Sequence, residues 1–504
     1  MTQTARGGVE MPNGTTEESP TFESIDPRTG EVVGRHPIHD VAEVGARVDA
    51  AREAQPGWVE LGFSGRKQWL DAWRKLLSKR VDELAAVICA ETGKPLDDAR
   101  LELVLVIDHL HWAAGNAEKV LRRRKVSSGV LMANQTATVE YLPYGVIGVI
   151  GPWNYPAFTP MGSIAYALAA GNAVVFKPSE LTPGVGQWLA DSFAEAVPEH
   201  PVFQLVTGFG ETGAALCASG VNKVAFTGST ATGKRVMASC AENLVPVLME
   251  CGGKDALIVD ADADLAAAAD AAVWGAMSNA GQTCIGVERV YVVDAVADRL
   301  LEMIAERAGK LRPGGEPGAN FGPITMPAQV DIIRGHIDDA LERGGRAVVG
   351  GEHSVRPPFV EPVVLTDVPE DSTAITEETF GPTIVVQRVR DADEGVARAN
   401  DSRYGLGASV FSRARGVELA RQLRTGMVAV NSVIAFAGVP SLPFGGVGDS
   451  GFGRIHGADG LREFARPQSV TQLRYRIPLN PMSFGRAKGT VRRVVRLMRL
   501  VRGR

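Results

Sequence analysis

A cysteine at a glycine-flanked turn is the first residue in this chain that invites chemistry. Residues 279–286, NAGQTCIG, place Cys284 after a long alanine-rich run, among small neighbours that leave space for a substrate. A thiolate is the most nucleophilic side chain available near neutral pH. A lone cysteine is as readily a small core hydrophobe, and the segment alone leaves both readings open. A second candidate is Glu250 in LMECGGKDALIV, residues 248–259, which ends an apolar run beside Gly252 and Gly253. Burial there would raise its pKa toward the range useful for a general base. The plainer alternative is a strand-end carboxylate that caps or pairs with a neighbour. A third is Asn154 in GPWNYP, residues 151–156, a polar side chain held between prolines in uncharged sequence. Its amide N–H can donate to a developing oxyanion, a contribution typically of about 3 kcal/mol, although a simple turn Asn fits the same pattern.

Two further patterns suit a nucleotide. FTGSTATGKR, residues 226–235, follows an apolar run and opens a helical one, and a helix start binds anions well. Gly228, Ser229, Thr230 and Gly233 could offer donors to a pyrophosphate, with Lys234 adding positive charge. The spacing approaches a Walker A loop, but Arg235 stands where the magnesium-binding hydroxyl belongs. NAVVFKPSE, residues 172–180, brings Lys177 and Glu180 to the carboxyl end of a strand, the usual ligand edge of an open α/β sheet. Glu180 could accept both ribose hydroxyls and would repel a 2′-phosphate, which favours NAD over NADP. DADAD, residues 260–264, begins like a calcium loop but has Leu265 in place of the required Gly and Ala271 in place of the Glu. A strand end followed by a helix cap accounts for it, and no metal site is expected.

These candidates must be held by elements the pattern also indicates. From Val41 to Leu121 apolar residues recur every three or four positions, which predicts amphipathic helices covering a sheet. Short β-branched runs then alternate with helical segments at 145–150, 173–176, 202–206, 223–227, 246–249 and 256–259. Strands spaced by helices imply a parallel α/β sheet. The pattern resumes after Cys284 with VERVYVV, a helix from about 294, AVVGG, FVEPVVL, TIVVQRV and a helix near 391, so a second α/β domain is expected beyond a boundary near 250. Residues 142–176 carry no charge and are long enough to span a bilayer, but their prolines and glycines break them into strand, turn, helix and strand.

Composition narrows the class. At 45% apolar and 22% charged the chain reads as an ordinary globular enzyme, and a net charge of −5 over 504 residues excludes a global field that would recruit nucleic acid. Five cysteines at irregular spacing indicate a reducing, cytoplasmic compartment without structural zinc. Residues 1–20 carry no apolar leader and read as a loose, flexible tail. Residues 486–504 hold eight Arg or Lys and no acid. They read as a basic amphipathic helix whose Val491, Val494, Val495, Met498 and Val501 could face an anionic lipid surface, the alternative being a solvated or partner-packed helix.

Together PWNYP, KPSE, FTGST, MECGGK, GQTC, EETFGP and PFGGVGDSGFGR resemble the aldehyde dehydrogenase superfamily in order and spacing, over about residues 22–475. The resemblance implies that Cys284 is the nucleophile, Glu250 the base that activates the deacylating water, and Asn154 the oxyanion donor with the Cys284 N–H. It assigns Trp153, Lys177, Glu180, Gly228 and Ser229 to the adenosine and pyrophosphate of NAD or NADP, and Glu378 and Phe380 to the nicotinamide end. Hydride passes to the nicotinamide, and water then hydrolyses a thioester on Cys284. Coenzyme A-acylating members typically lack the base, so Glu250 implies a free acid product. Tyr155, Met161 and Phe444 are candidate substrate-lining residues.

The implied fold is α/β, with a Rossmann-type dinucleotide-binding domain (21–123 and 144–252), an α/β catalytic domain (253–450) and a small β oligomerisation element (124–143 and 468–480). A homodimer or homotetramer is expected. Several positions depart from the common pattern. Cys251 follows the glutamate where an aliphatic residue is usual, and Ile455 and His456 stand where a glutamate often follows FGR, which removes a carboxylate relay at 455. The substrate expected is a hydrophobic, aromatic or general aldehyde. Succinate semialdehyde is the alternative and would need a cation in the tunnel to hold its distal carboxylate.

Overall fold

The computed structural model describes residues 20–316, 318–477 and 480–503. The expected N-terminal tail therefore lies outside the described residues, apart from Pro20. The first sheet grows from the apolar runs Val146–Ile150, Ala173–Lys177, Phe203–Leu205, Lys223–Thr227 and Val247–Glu250. Most of their residues are buried, as parallel strands covered on both faces require. In space they run 247–250, 223–227, 146–150, 173–177, 203–205, all parallel. The central strand 146–150 thus has the second strand on one side and the fourth on the other.

The helices predicted for the N-terminal third cover this sheet. Asp40 caps helix Val41–Glu60 by accepting the Glu43 N–H at 2.8 Å, and the Glu43 carboxylate returns the bond to the Asp40 N–H. The indole N–H of Trp58 reaches the Leu168 carbonyl at 2.9 Å, fastening this helix to helix Phe158–Ala170, which is buried on all sides except at Phe158. The uncharged stretch 142–176 resolves into a strand end, a strand, that helix and a strand. Among the described residues no helix is long and apolar enough to cross a membrane.

The chain leaves the first sheet at Glu250 and enters the second at Asp255. Seven strands make the second sheet, in the order 346–349, 363–366, 383–389, 287–293, 255–259, 407–411, 427–430, parallel apart from the first pair. The single strand expected from FVEPVVL is two, Phe359–Val360 in a hairpin with Val355–Arg356 and Val363–Thr366 in the sheet. Pro362 has no N–H to continue a ladder, so the run divides there. A hairpin of Thr21–Ile25 with Val32–Pro37 precedes the helices and was not foreseen. Asp264 caps helix Leu265–Met277, and Asp262 accepts the N–H groups of Arg413 and Ala414, so the DADAD segment is structural.

Two late strands return to the first half. Gly451–Phe452 pairs antiparallel with Val247–Glu250, and Ala465–Leu473 pairs with Gln135–Pro143, which also holds Arg124–Val126. The last long strand begins at Ala465, three residues before the expected 468, because its register starts opposite Pro143. At the C-terminus, Thr490–Arg502 is a helix with Val491, Val495 and Val501 exposed and Val494 and Met498 half-buried.

Candidate active site

An open α/β sheet forms a crevice where strand order reverses, at the carboxyl ends of the strands. In the first sheet that point lies beside strand Val146–Ile150. The loop after it carries Trp153 and Asn154, its neighbours end in Lys177 and in Thr227 followed by Gly228 and Ser229, and the next strand ends in Glu250. The Gly228 N–H donates to the Glu250 carbonyl at 3.1 Å, joining two of these edges. Ser229 caps helix Thr230–Ala241, its hydroxyl accepting the Thr232 N–H at 3.3 Å. A Cβ on Gly233 would stand 3.0 Å from the Cys251 sulfur, so this helix lies close against the strand. The Lys177 ammonium is buried, donates to the Pro178 carbonyl at 3.1 Å and sits 3.7 Å from the Glu180 carboxylate. Burial lowers its pKa, and Glu180 opposes that shift. A helix N-terminus, a buried ammonium and the exposed Glu180 carboxylate on one edge fit the pyrophosphate and ribose of a dinucleotide.

The second sheet contributes the other end of this site. The Glu378 carboxylate accepts the Gly253 N–H at 2.9 Å, and a Cβ on Gly252 would meet that carboxylate at 2.0 Å, so only glycine admits the contact. Phe380, at φ +51°, stands edge-on to Trp153 with ring centroids 5.6 Å apart. Thr379 and Phe380 donate their N–H groups to Glu288, itself paired with buried Lys254.

Cys284 is held by a strained and cross-braced loop. Asn279, Ala280 and Gly281 all have left-handed φ, at 52°, 56° and 73°. Such residues outside glycine cost about 1–3 kcal/mol each and persist only when their surroundings fix them. Here the Asn279 amide donates to the carbonyls of Asn154 at 3.1 Å and Gln282 at 3.2 Å, while the Gln282 amide donates to Asn279 and Pro323 and accepts the Thr325 N–H. A Cβ on Gly281 would stand 2.0 Å from the Gly381 carbonyl oxygen. Asn154 joins the same brace, one amide N–H donating to the Gln282 carbonyl at 2.9 Å.

The electrostatics are set by burial. Burial raises the Cys284 thiol well above the ordinary thiol range, and Glu250, Glu378 and Asp255 reinforce the shift. Glu250 is buried and pushed up to about 8, with only the Thr227 hydroxyl at 3.4 Å opposing. Glu378 is likewise pushed up to about 8 and Asp255 to about 7, burial being the largest cause in both. One cluster therefore holds a thiol and three carboxyl groups that exchange protons near or above neutrality, the condition that acid and base catalysis needs.

Cys284 and Glu250 share the wall of one cavity of about 120 Å³. Tyr155 and Phe444 also line it, and the Tyr155 hydroxyl lies 3.0 Å from that of Thr283. Met161 does not line it. Helix Phe158–Ala170 is packed all round, so a residue one turn beyond the motif falls into the core. Asn154 stands behind the wall, tied to the cysteine loop. Ile455 and His456 line the cavity, and the His456 ring is tilted 54° to that of His109 with centroids 3.9 Å apart.

Two residues that motif reading passed over brace the site from behind. Lys94 and Glu102, at 1% and 0% side-chain exposure, form an ion pair at 2.8 Å. The Lys94 ammonium also donates to the Asn154 carbonyl at 2.8 Å and lies 4.3 Å from the Tyr155 ring centre. The second Glu102 oxygen accepts the N–H groups of Ala157 and Phe158 at 2.8 and 3.0 Å. The available signal was a lysine directly after the helix stop at Gly93, φ +73°.

Comparison with known proteins places the chain in a family. Residues 15–470 match the aldehyde dehydrogenase family. The chain is 40% identical to the 4,4′-diapolycopene aldehyde oxidase of a Methylomonas species over 92% of this chain and 88% of that one. It is 36% identical to a putative succinate-semialdehyde dehydrogenase [NADP(+)] of Mycolicibacterium smegmatis, over 88% and 87%. The crystal structure of an NAD-dependent aldehyde dehydrogenase from Sinorhizobium meliloti superposes with a TM-score of 0.87 at 33% identity, covering 92% of this chain and 93% of that one. This chain belongs to the aldehyde dehydrogenase family and is an NAD(P)-dependent oxidoreductase acting on aldehydes.

Proposed function

We propose that this enzyme oxidises an apolar aldehyde to the free acid with NAD, through a thioester on Cys284. The carrying observation is the cavity wall. Among the described residues it has no arginine, its one lysine, Lys94, is committed to Glu102 and to the Asn154 carbonyl, and its remaining charges are the carboxyl groups of Asp98, Glu102 and Glu250. Phe158, Trp274, Ile285, Ile434 and Phe444 supply apolar surface. Such a wall suits a hydrocarbon chain and opposes a substrate carboxylate. The relative named for diapolycopene aldehyde supports this reading, whereas the relative named for succinate semialdehyde supports the runner-up, which the Asp98 carboxyl disfavours.

In this reading Cys284 first gives its proton to water, its thiolate adds to the carbonyl carbon, and the resulting oxyanion is held by Asn154 and by the Cys284 N–H. One Asn154 N–H is fixed on the Gln282 carbonyl, which orients the other. Lys177, Glu180, Ser229, Glu378 and Phe380 would hold a nicotinamide dinucleotide, which would supply the hydride acceptor for oxidation of the thiohemiacetal to the thioester. Glu250 takes a proton from water as it adds to the thioester carbon. The acid leaves and the cysteine thiolate is restored. Glu180, exposed at the ribose edge, favours NAD over NADP through repulsion of a 2′-phosphate.

Association into a dimer or tetramer through the three-stranded sheet belongs to the same proposal, supported by the exposure of strand Ala465–Leu473. So does a cytoplasmic setting with contact between the basic helix Thr490–Arg502 and an anionic lipid surface, supported by its exposed valines and its arginines. Flotation with anionic vesicles, comparing the full chain with one ending at Gly485, tests that contact.

The first experiment follows nicotinamide reduction with NAD and NADP over acetaldehyde, benzaldehyde, decanal and succinic semialdehyde, with Cys284→Ala as control. Cys284-dependent turnover that favours decanal or benzaldehyde with NAD is expected. Preference for succinic semialdehyde would overturn the apolar reading.

A further inference from the structure

All five cysteines lie among the described residues, each a free thiol, and two of them meet. Cys217 is next to last in helix Gly210–Ala218, and Cys240 is next to last in helix Thr230–Ala241. These helices pack against each other, and the Cys217 thiol donates a hydrogen bond to the Cys240 sulfur. Both side chains are buried in the same core, at 1% and 0% exposure. The bond sets Cys240 apart. It lowers the Cys240 pKa against the effect of burial and raises that of Cys217, whereas Cys89, Cys251 and Cys284 are all raised, with burial the largest cause. Of the five, Cys240 is thus the one thiol shifted toward the thiolate, the form that attacks an oxidant.

The pair sits behind the dinucleotide edge. The segment between the two cysteines holds strand Lys223–Thr227, the turn of Gly228 and Ser229, and most of the helix that Ser229 caps. The preceding helix lies against Lys177, where a Cβ on Gly213 would stand 3.7 Å from the lysine Cδ. A change in the spacing of these helices therefore moves Ser229 relative to Lys177. Neither thiol is far from water, since Ala218 and Ala241, the next residues, are exposed. The last turn of a helix opens more readily than its middle, and a peroxide is little larger than a water molecule.

We propose that Cys217 and Cys240 are a redox-active pair that a peroxide closes into a disulfide, and that this closure weakens binding at the dinucleotide edge. The Cys240 sulfur attacks one peroxide oxygen, the O–O bond breaks, and Cys240 becomes a sulfenic acid as water leaves. The Cys217 sulfur then attacks the Cys240 sulfur. The S–S bond forms, the S–O bond breaks, and the Cys217 proton departs with the hydroxide as a second water. Two thiols lose two electrons in all, and one hydrogen peroxide becomes two waters. A disulfide holds its sulfurs about 2 Å apart, closer than a hydrogen bond does, so the two helices are drawn together. In a reducing compartment such bonds are transient and redox-sensing, and thiol exchange restores the pair. The closure is independent of which aldehyde is the substrate, while its effect rests on the assignment of Lys177 and Ser229 to the dinucleotide.

The test treats the full chain, purified in reduced form, with a small excess of hydrogen peroxide. The remaining thiols are alkylated, and a non-reducing peptide map is read by mass spectrometry. The Cys217 and Cys240 peptides should appear joined, two hydrogens lighter than their sum, and dithiothreitol should separate them. Because peroxide can also oxidise Cys284, cofactor binding is followed by NADH fluorescence and not by turnover. The Kd for NADH should rise about fivefold or more on oxidation and return with dithiothreitol. In peroxide-treated Cys217→Ala, its fold checked by thermal unfolding, the Kd should stay unchanged, and Cys240→Ala takes its place if that variant does not fold. Free Cys217 and Cys240 after peroxide, or either one joined to a different cysteine, overturns the pair. A joined pair with an unchanged Kd, or an equal rise in the variant, overturns its coupling to the dinucleotide edge. Failure of the dinucleotide assignment is distinguishable, because the reduced enzyme then binds no NADH, and the peptide map, which needs neither variant nor cofactor, still decides the pair.

Discussion

Behind the cysteine loop the backbone is fixed by side chains, with Lys94, Glu102, Asn279 and Gln282 all buried and all bonded to main-chain groups. Along the carboxyl edge of the first sheet the positioning is done by strand ends and one helix N-terminus, while Ser229 and Glu180 stay open to solvent. The contrast follows from what each region must do. In the proposed reading Cys284 is a nucleophile, and one misplaced by about 1 Å loses on the order of a hundredfold in rate, so its loop is over-determined. In the same reading a large ligand that enters and leaves every cycle is served by a shallow edge of backbone N–H groups with the Lys177 ammonium and the Ser229 hydroxyl.

The sharpest way to break this contrast is at the base. Glu250→Gln should lower steady-state turnover by roughly 100- to 10,000-fold while leaving a first burst of one reduced nicotinamide per subunit. A stopped-flow trace without the burst would show that Glu250 serves acylation instead. Next comes Lys94→Met, which strands the buried Glu102 carboxylate. A loss of about 3–5 kcal/mol is expected from a broken buried pair, read as a shift in the denaturant midpoint. If turnover by the folded variant fell no further than that of a surface variant such as Arg346→Met, the brace would be structural alone.

The third effect is on pH. Burial holds the Glu250 carboxyl at about 8, so the proton-accepting form is lost as pH falls through that value. The deacylation rate should therefore fall about tenfold per pH unit below 8, level off above it and lose this slope in Glu250→Gln. A flat profile between pH 6 and 8 would mean that the base ionises well below neutrality in the working enzyme. The smallest effect is expected at the open edge. Glu180→Ala should raise the KM for NAD about tenfold and narrow its advantage over NADP, with kcat nearly unchanged. A large fall in kcat there would contradict the division between the two regions.

The parts legible in the sequence were those whose information is local. Glu250 and Lys177 end strands and Ser229 caps a helix, while Asn154 and Cys284 lie in short loops next to a strand, and β-branched runs and glycines announce all of these places. The brace was not legible, because Lys94 and Glu102 come from a helical region whose periodicity reports only which face is apolar. Their partners at 154–158 lie more than 50 residues on. Met161 was misplaced for a related reason, since a helix buried on every side offers no pattern to separate cavity from core. The hairpin over residues 21–37 is too short and too polar for alternation to stand out.

The strand Ala465–Leu473 closes against Gln135–Pro143 with Ala465 opposite Pro143, about 320 residues apart in the chain. The edge strand Gly451–Phe452 of the first sheet arrives only slightly earlier. On a ribosome adding about 5–20 residues per second, the edge at Gln135–Pro143 stays unpaired for on the order of 15–65 s and that at Val247–Glu250 for on the order of 10–40 s. An open strand edge is a template for another chain, so the nascent protein passes through an interval of exposure that the finished enzyme never shows. Yield in a crowded translation system should then depend on translation speed and chaperone supply more than on the stability of the folded enzyme.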